Sequence, residues 1–363
     1  MNFILSSASK VSVVVPCFNE AAGLGEFHRR MAAACEQLCG LSYEIVLVDD
    51  GSNDGTWKLI HGLSAMDPGV VGVRLMRNHG HQAAVTAGLA LARGDRVLLI
   101  DADLQDPPEL LASMMRKMDE EEADVVFGQR TARAGETRFK TISAAAFYCL
   151  LSRMTAVPIP ANTGDFRLMS RRVVDALAAM PERQRFVRGM VSWIGGRQVA
   201  LRYERQVRYA GASSYSFLKM LHFSVDAITS FSTVPLRLAT WLGFGSVLVA
   251  LGLFVTSLCS WATGHTVLGW SSIMTAIVFF GSVQLIVTGI LGEYVGRLFQ
   301  EAKRRPLFLV DEVIAGGRSQ VLPPEFATLG AIARGNGPAA PSGLLEAITA
   351  TGELEPRPQP NRR

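Results

Sequence analysis

RVLLIDADLQDPPE, residues 96–109, is the stretch whose reading decides the fold. Val97, Leu98, Leu99 and Ile100 form a short apolar run of the kind that makes a buried strand. The run breaks at once into Asp101, Asp103 and Gln105, and two prolines then open a helical stretch over 108–118. The same strand, turn and helix unit recurs upstream. Residues 11–15 are a β-branched run closed by Pro16, with a helix over 26–38. Residues 44–48 end in DDGS, with a helix from Thr56; residues 70–76 precede a helix of small residues over 82–92. Downstream, 124–128 reads as a further strand. Buried runs alternating with helices predict an α/β fold, a mainly parallel sheet covered on both faces. Ligands of such sheets bind at the carboxyl ends of the strands. Polar motifs stand at three of those ends, after Val15, Val48 and Ile100.

Composition divides the rest of the chain. It is 363 residues long, 49% hydrophobic and only 19% charged, which excludes a disordered protein. The net charge of +4 is too mild to argue for nucleic acid. Residues 238–292 contain no Asp, Glu, Lys or Arg. A helical crossing needs roughly 20 apolar residues, so two are expected, near 238–261 and 270–291, joined by a short break at 262–269. Arg237 precedes them and Arg297, Lys303, Arg304 and Arg305 follow, a cationic flank at both outer ends that predicts both ends in the cytoplasm. Trp241, Trp261 and Trp270 fall near the helix ends. MNFILSSASK has no signal-peptide character, which leaves residues 1–214 as a cytoplasmic domain on the inner membrane. Residues 215–236 read as an amphipathic interfacial helix, a packed helix of the soluble domain being the alternative. Residues 297–315 read as a cytoplasmic juxtamembrane segment. The stretch 316–363 holds seven of the sixteen prolines and reads as a disordered tail. The five cysteines form no CxxC pair, as expected of reduced thiols.

The chemistry is concentrated at the strand ends. Asp101, Asp103 and Gln105 offer hard oxygen donors from one short segment, which suits Mg²⁺ or Mn²⁺ shared with substrate phosphates. The companion motif DDGSNDGT, residues 49–56, argues for a nucleotide base or ribose held by Asp50, against a plain turn. No G-x-x-x-x-G-K-[ST] and no G-x-G-x-x-G after a strand is present, so a P-loop and a dinucleotide site are disfavoured. A nucleotide whose diphosphate is bound through a metal remains.

VPCFNE (15–20), DDGSNDGT (49–56) and DADLQDPPE (101–109) together resemble family 2 of the inverting glycosyltransferases. TGDFRL (163–168), MPERQRFVRGMVSWIGGRQV (180–199), RYAGASSY (208–215) and LGEYVGRLFQEAKRRP (291–306) narrow the resemblance to the polyprenyl-phosphate branch. That branch includes dolichyl-phosphate mannose synthases and bactoprenol glucosyltransferases. The resemblance spans about residues 10–315. It implies a glycosyltransferase A-type, Rossmann-like domain followed by a two-helix transmembrane hairpin.

The resemblance also implies roles. Pro16, Phe18, Glu20, Val48, Asp50, Asp101 and Ala102 would bind the nucleotide sugar. Asp101, Asp103 and Gln105 would hold Mg²⁺ or Mn²⁺. Arg130 would reach the diphosphate or the acceptor phosphate, with Lys140, Arg208 and Ser213 adding contacts. Asp165 is the candidate base or sugar-orienting group, a turn or cap residue being its alternative. The family pattern R-x-x-G-x-S-K-Y departs here, with Ser214 at the Lys position and Lys219 as a possible substitute. The implied reaction moves a hexose, glucose first, from a UDP-sugar such as UDP-glucose to undecaprenyl phosphate with inversion. It would serve a cell-envelope glycan or O-antigen modification. N-acetylhexosamine, mannose and aminoarabinose donors are alternatives, and a membrane-anchored, non-catalytic nucleotide-binding scaffold is the reading of another class. A homo-oligomer, a tetramer by resemblance, and a separate flippase downstream are the implied partners.

Other residues invite chemistry. Cys35 and Cys39 share a helix face and read as buried small residues rather than ligands. His79 and His81 flank Gly80 and read as a loop contacting the donor. Glu293 is expected in a structural ion pair.

Overall fold

The computed structural model describes residues 10–39, 42–131, 160, 163–206, 234–263 and 269–321. Lys140, Arg208, Ser213, Ser214, Lys219, residues 215–233 of the helix expected over 215–236, and the tail beyond 321 lie outside the described residues. Strand β1 (Val11–Cys17) is buried along its whole length. It is flanked by the parallel strands β2 (Tyr43–Asp49) and β4 (Arg96–Leu99), and β3 (Val70–Leu75) lies parallel beyond β2. These four are the apolar runs read from the sequence.

The alternating faces of β1 and β2 sort the helices. Val13, Val15, Ile45 and Leu47 share a core with α1 (Leu24–Cys39), α2 (Thr56–Met66) and α4 (Leu111–Glu120). Val14 and Val48 point the other way and meet α3 (His81–Leu91). A Cβ at Gly88 of α3 would come within 2.4 Å of Val14 Cγ1 and 3.1 Å of Val48 Cγ2. That contact explains the small-residue composition of α3. Gly88→Ala is expected to cost about 1–3 kcal/mol by overpacking, read as a lowered urea midpoint with an unchanged m-value.

Antiparallel pairing enters at both flanks. Next to β4 lies β6 (Thr163–Ser170), antiparallel to it and to β5 (Val125–Arg130); β7 (Gln198–Tyr203) runs parallel to β5. Helices α5 (Arg171–Ala179) and α6 (Val187–Ile194) connect β6 to β7. On the far side, β8 (Val310–Ala315) pairs antiparallel with β3 and β9 (Arg318–Val321) with β8. Among the described residues the sheet has nine strands, ordered β7-β5-β6-β4-β1-β2-β3-β8-β9.

Strands β8 and β9 correct two boundaries. The juxtamembrane segment expected at 297–315 ends in a sheet strand, and the tail expected from 316 begins with a hairpin. Gly316 and Gly317 take φ of 56° and 71°, the paired left-handed conformation of a two-residue hairpin turn. Val310, Val313 and Ile314 are buried, and Trp57 Nε1 donates to Glu312 at 3.1 Å. In the sequence the glycine pair resembles the start of a flexible tail, because residues 323–363 are rich in proline and glycine. The sheet unit therefore draws on chain from both sides of the apolar region, with strands β1 to β7 before it and β8 and β9 after it.

The second unit contains α7 (Val234–Ala262) and α8 (Trp270–Ala302), which form a helical hairpin. Their spans Val234–Ser260 and Thr275–Ala302 are long and apolar enough to cross a membrane. Side chains such as Leu248 and Leu285 are exposed along them, the surface a bilayer solvates and water does not. Helix α8 runs about three turns past the expected end at 291. On that extension Arg297 donates to Glu293 at 3.0 Å, the ion pair anticipated for Glu293.

Candidate active site

Two loops at the carboxyl end of the sheet are latched together. Asn19, at φ 57°, donates its N–H to Ser52 Oγ at 2.9 Å, and its Oδ1 accepts from Asn53 N–H at 2.9 Å. Glu20 N–H donates to Thr56 Oγ1 at 3.0 Å and Ala21 N–H to Asp54 Oδ2 at 3.1 Å. The DDGSNDGT run thus closes over the loop at the end of β1. Pro16 and Val48 face each other across the β1–β2 pairing and are buried. Phe18 is 44% exposed at the rim.

Asp50 is 3% exposed, and its two oxygens accept the N–H groups of His79 at 2.7 Å and Gly80 at 2.9 Å. Burial raises its pKa, opposed by those two bonds. The carboxylate ties down the loop between β3 and α3. Gly51 makes that approach feasible: its φ is +71°, and a Cβ there would lie 2.7 Å from the backbone of Arg77 and Asn78.

The acidic turn lies directly after β4. Ala102 and Leu104 are buried, while Asp101, Asp103 and Gln105 are partly exposed. Asp103 Oδ1 accepts the N–H of Gln105 at 3.1 Å, with Leu104 between them at φ 59°. Strand β6 brings up a further carboxylate. Leu99 is opposite Arg167 in the antiparallel register, so Asp165 arrives beside Asp101. Asp165 is 9% exposed and surrounded by donors. Arg188 donates to its Oδ1 from Nε at 3.3 Å and from Nη2 at 3.2 Å. His81 Nε2 lies 3.1 Å and Gln82 Nε2 3.3 Å from its Oδ2. Arg167, 3% exposed, sits 4.0 Å away and donates to the carbonyls of Gly164 and Asp165.

These surroundings push the two neighbouring acids apart. Burial would raise Asp165, but the His81 hydrogen bond and the Arg188 and Arg167 charges hold it well below the carboxylate range. Asp101 goes up to about 6, through burial and then the charges of Asp165, Asp106 and Asp103, with His81 opposing. Burial brings Arg167 down to about 10. Unfolded, Asp101 titrates near about 3.9, so its contribution to stability is fully present below that value and is lost as pH rises through 6. Asp101→Asn is therefore expected to raise the Tm of the ligand-free protein at pH 7, with the gain vanishing by about pH 4. A gain independent of pH would contradict the assignment.

A third group lies on the other side of the acidic turn. Asp106 is 0% exposed and accepts the Tyr203 hydroxyl proton. Arg130 Nε donates to that same hydroxyl oxygen at 3.3 Å. Arg130 Nη2 lies 3.7 Å and Arg205 Nε 4.0 Å from Asp106 Oδ1.

The structure brings Asp101, Asp103, Gln105, Asp165 and Arg130 to one edge of the sheet, with the latched loops of Phe18, Glu20 and Asp50 at the ends of the adjoining strands. Sequence reasoning gave no role to Gln82, Asp106, Arg188, Tyr203 or Arg205. The only signals were the extra acid in DADLQD and the cations in QRFVRG.

Among the described residues no three His, Cys, Asp or Glu side chains surround one point as a complete metal cage. Mg²⁺ and Mn²⁺ do not require one, since they take one or two carboxylates and complete the shell with phosphate oxygens and water. The donors fit that use. Asp101 carries a charge its acidic neighbours oppose, and a divalent cation would relieve that repulsion.

Residues 12–178 match the family model described as Glycosyl transferase family 2. The uncharacterized glycosyltransferase YkcC of Bacillus subtilis (strain 168) is 42% identical over 312 residues, 85% of this chain and 95% of that one. The bactoprenol glucosyl transferase of Shigella phage SfV is 39% identical over 311 residues, 83% of this chain and 98% of that one. Among solved structures, the mannosyl-3-phosphoglycerate synthase of Rubrobacter xylanophilus is 22% identical, covering 60% of this chain and 71% of that one. Its TM-score of 0.43 is too low to add to the argument. With relatives matched over nearly their whole length and the acidic strand ends assembled at one sheet edge, the chain belongs to glycosyl transferase family 2.

Proposed function

We propose that the protein transfers a hexose, glucose first, from a UDP-sugar to undecaprenyl phosphate with inversion, for cell-envelope glycan modification. The likeness to a bactoprenol glucosyl transferase over 98% of that protein's length carries this reading. The apolar hairpin supports it, since a polyprenyl acceptor is confined to a bilayer. The hairpin anchors the sheet domain at the membrane. Arg237 before the hairpin and Arg297, Lys303, Arg304 and Arg305 after it assign both outer ends to one side. The cationic flanks make that side the cytoplasm.

Charge dictates the chemistry. A lipid phosphate, with a second pKa near about 6, is already anionic at neutral pH and needs no strong base. Asp165 suits that reaction. Held ionised by His81, Arg188 and Arg167, it is a weak proton acceptor, so its role is to orient the sugar and its own cationic neighbours. Asp101 and Asp103, with Gln105, would hold Mg²⁺ or Mn²⁺, which when bound neutralises the leaving diphosphate. Arg130 offsets the repulsion between the two anionic substrates. Phe18 offers its exposed ring to the base, while Pro16, Val48, Glu20, Asp50 and Ala102 set the floor and walls of the nucleotide site. Attack on the face opposite the departing diphosphate inverts the anomeric carbon. Two helices enclose no path for the product, so translocation falls to a separate flippase.

Radiolabelled nucleotide sugars offered with undecaprenyl phosphate test the reading. Label from UDP-glucose is expected in the lipid extract, dependent on Mg²⁺ or Mn²⁺. Transfer from another sugar would revise the donor. Nucleotide binding with no transfer from any donor would favour the scaffold.

A further inference from the structure

Asp106 stands apart from the acids at the metal turn. It is fully buried, and its Oδ2 has no hydrogen-bond partner. Its Oδ1 is the meeting point of three groups from two strand ends: the Tyr203 hydroxyl at the end of β7, Arg205 just past it, and Arg130 at the end of β5. One carboxylate facing two guanidinium groups leaves a net positive charge. Both arginines keep a quarter of their side chains exposed, 27% and 28%. The arrangement is braced. Gly164 lets Arg130 lie against β6, since a Cβ there would stand 2.6 Å from Arg130 Nη2. Gln206 N–H donates to Gln105 O at 3.0 Å, which ties the loop carrying Arg205 to the acidic turn. The Tyr203 ring packs edge-on against Phe166 at 5.6 Å. Long cationic side chains lose rotamer freedom when they grip a ligand, and a buried anion that fixes them beforehand reduces that loss.

We propose that Asp106 is a positioning residue which sets Arg130, through the Tyr203 hydroxyl, and Arg205, by direct charge attraction, as a preformed cation pair for a substrate phosphate group. It deepens the transferase reading above and rests on it for the identity of the substrates. The phosphate belongs either to the lipid acceptor or to the nucleotide donor, and the test separates them.

The full chain in detergent micelles is titrated with undecaprenyl phosphate, UDP and uridine, and binding is measured for each. Tyr203→Phe keeps the ring against Phe166 and removes only the hydroxyl bridge. It is expected to weaken one phosphate ligand by about 10-fold while uridine, which lacks phosphate, binds as before. Asp106→Asn and Arg205→Ala should weaken the same ligand, with Arg205→Lys recovering part of the loss. Weakening of undecaprenyl phosphate assigns the pair to the acceptor, and weakening of UDP assigns it to the donor. Unchanged binding of both by Tyr203→Phe and Arg205→Ala would overturn the proposal. So would equal weakening of uridine, a lowered Tm with unchanged binding, or no binding of either phosphate by the wild type. Failure of the wild type to transfer sugar would overturn only the reaction, because these comparisons read binding.

Discussion

Asp103→Ala is expected to lower sugar transfer by about three orders of magnitude with little change in folding. Asp103 is partly exposed and accepts the N–H of Gln105. Losing such a bond costs about 1 kcal/mol, far too little to unfold a domain. Its weight lies in what it would bind. A leaving nucleoside diphosphate builds negative charge, and oxygen donors at the rim would hold the cation that neutralises it. The check is release of nucleoside diphosphate from UDP-glucose with undecaprenyl phosphate and Mg²⁺ present, beside a thermal melt of the same preparation. Equal release by variant and wild type would remove Asp103 from the metal site. A matching collapse of the melt would make its role structural.

The second large effect has the opposite character. Asp165→Ala is expected to destabilise the sheet domain by about 3–5 kcal/mol, besides impairing transfer. Arg167 is 3% exposed and its pKa already falls to about 10 through burial, so removal of Asp165 strands a buried cation. Arg188 and His81 lose the same partner. Arg188→Ala should cost much less stability, because Asp165 then keeps His81, Gln82 and Arg167. Denaturant unfolding of both variants orders them. An Asp165→Ala midpoint no lower than that of Arg188→Ala would show that the carboxylate does not organise the network.

Much of the fold was readable because its signals are local. A parallel strand buried on both faces is an apolar run, as in 11–17 and 43–49, and its turn residues announce where it ends. The hairpin was legible for a related reason: a long stretch without charge has few uses outside a membrane. Elements whose definition is a partner were not legible. TGDFRLMS carries Asp165 and Arg167 through a buried strand, a pattern that looks unlike a strand until each charge is seen to satisfy the other. VDEVIA became part of the sheet only because β3 offers it an edge and Glu312 meets Trp57.

The same division runs through the site. Asp101, Asp103 and Gln105 are close in sequence, so their joint use could be read from spacing alone. His81, Asp165 and Arg188 come from three separate elements, and so do Asp106, Arg130 and Tyr203. By itself the sequence determined the strand and helix alternation, the acidic turn, the charge-free hairpin and the family. Tertiary structure alone decided which acid stays ionised, which is pushed up to about 6 and which buried carboxylate holds two arginines. Protonation and orientation depend on burial and on charges within a few ångströms, and those neighbours lie tens of residues apart along the chain.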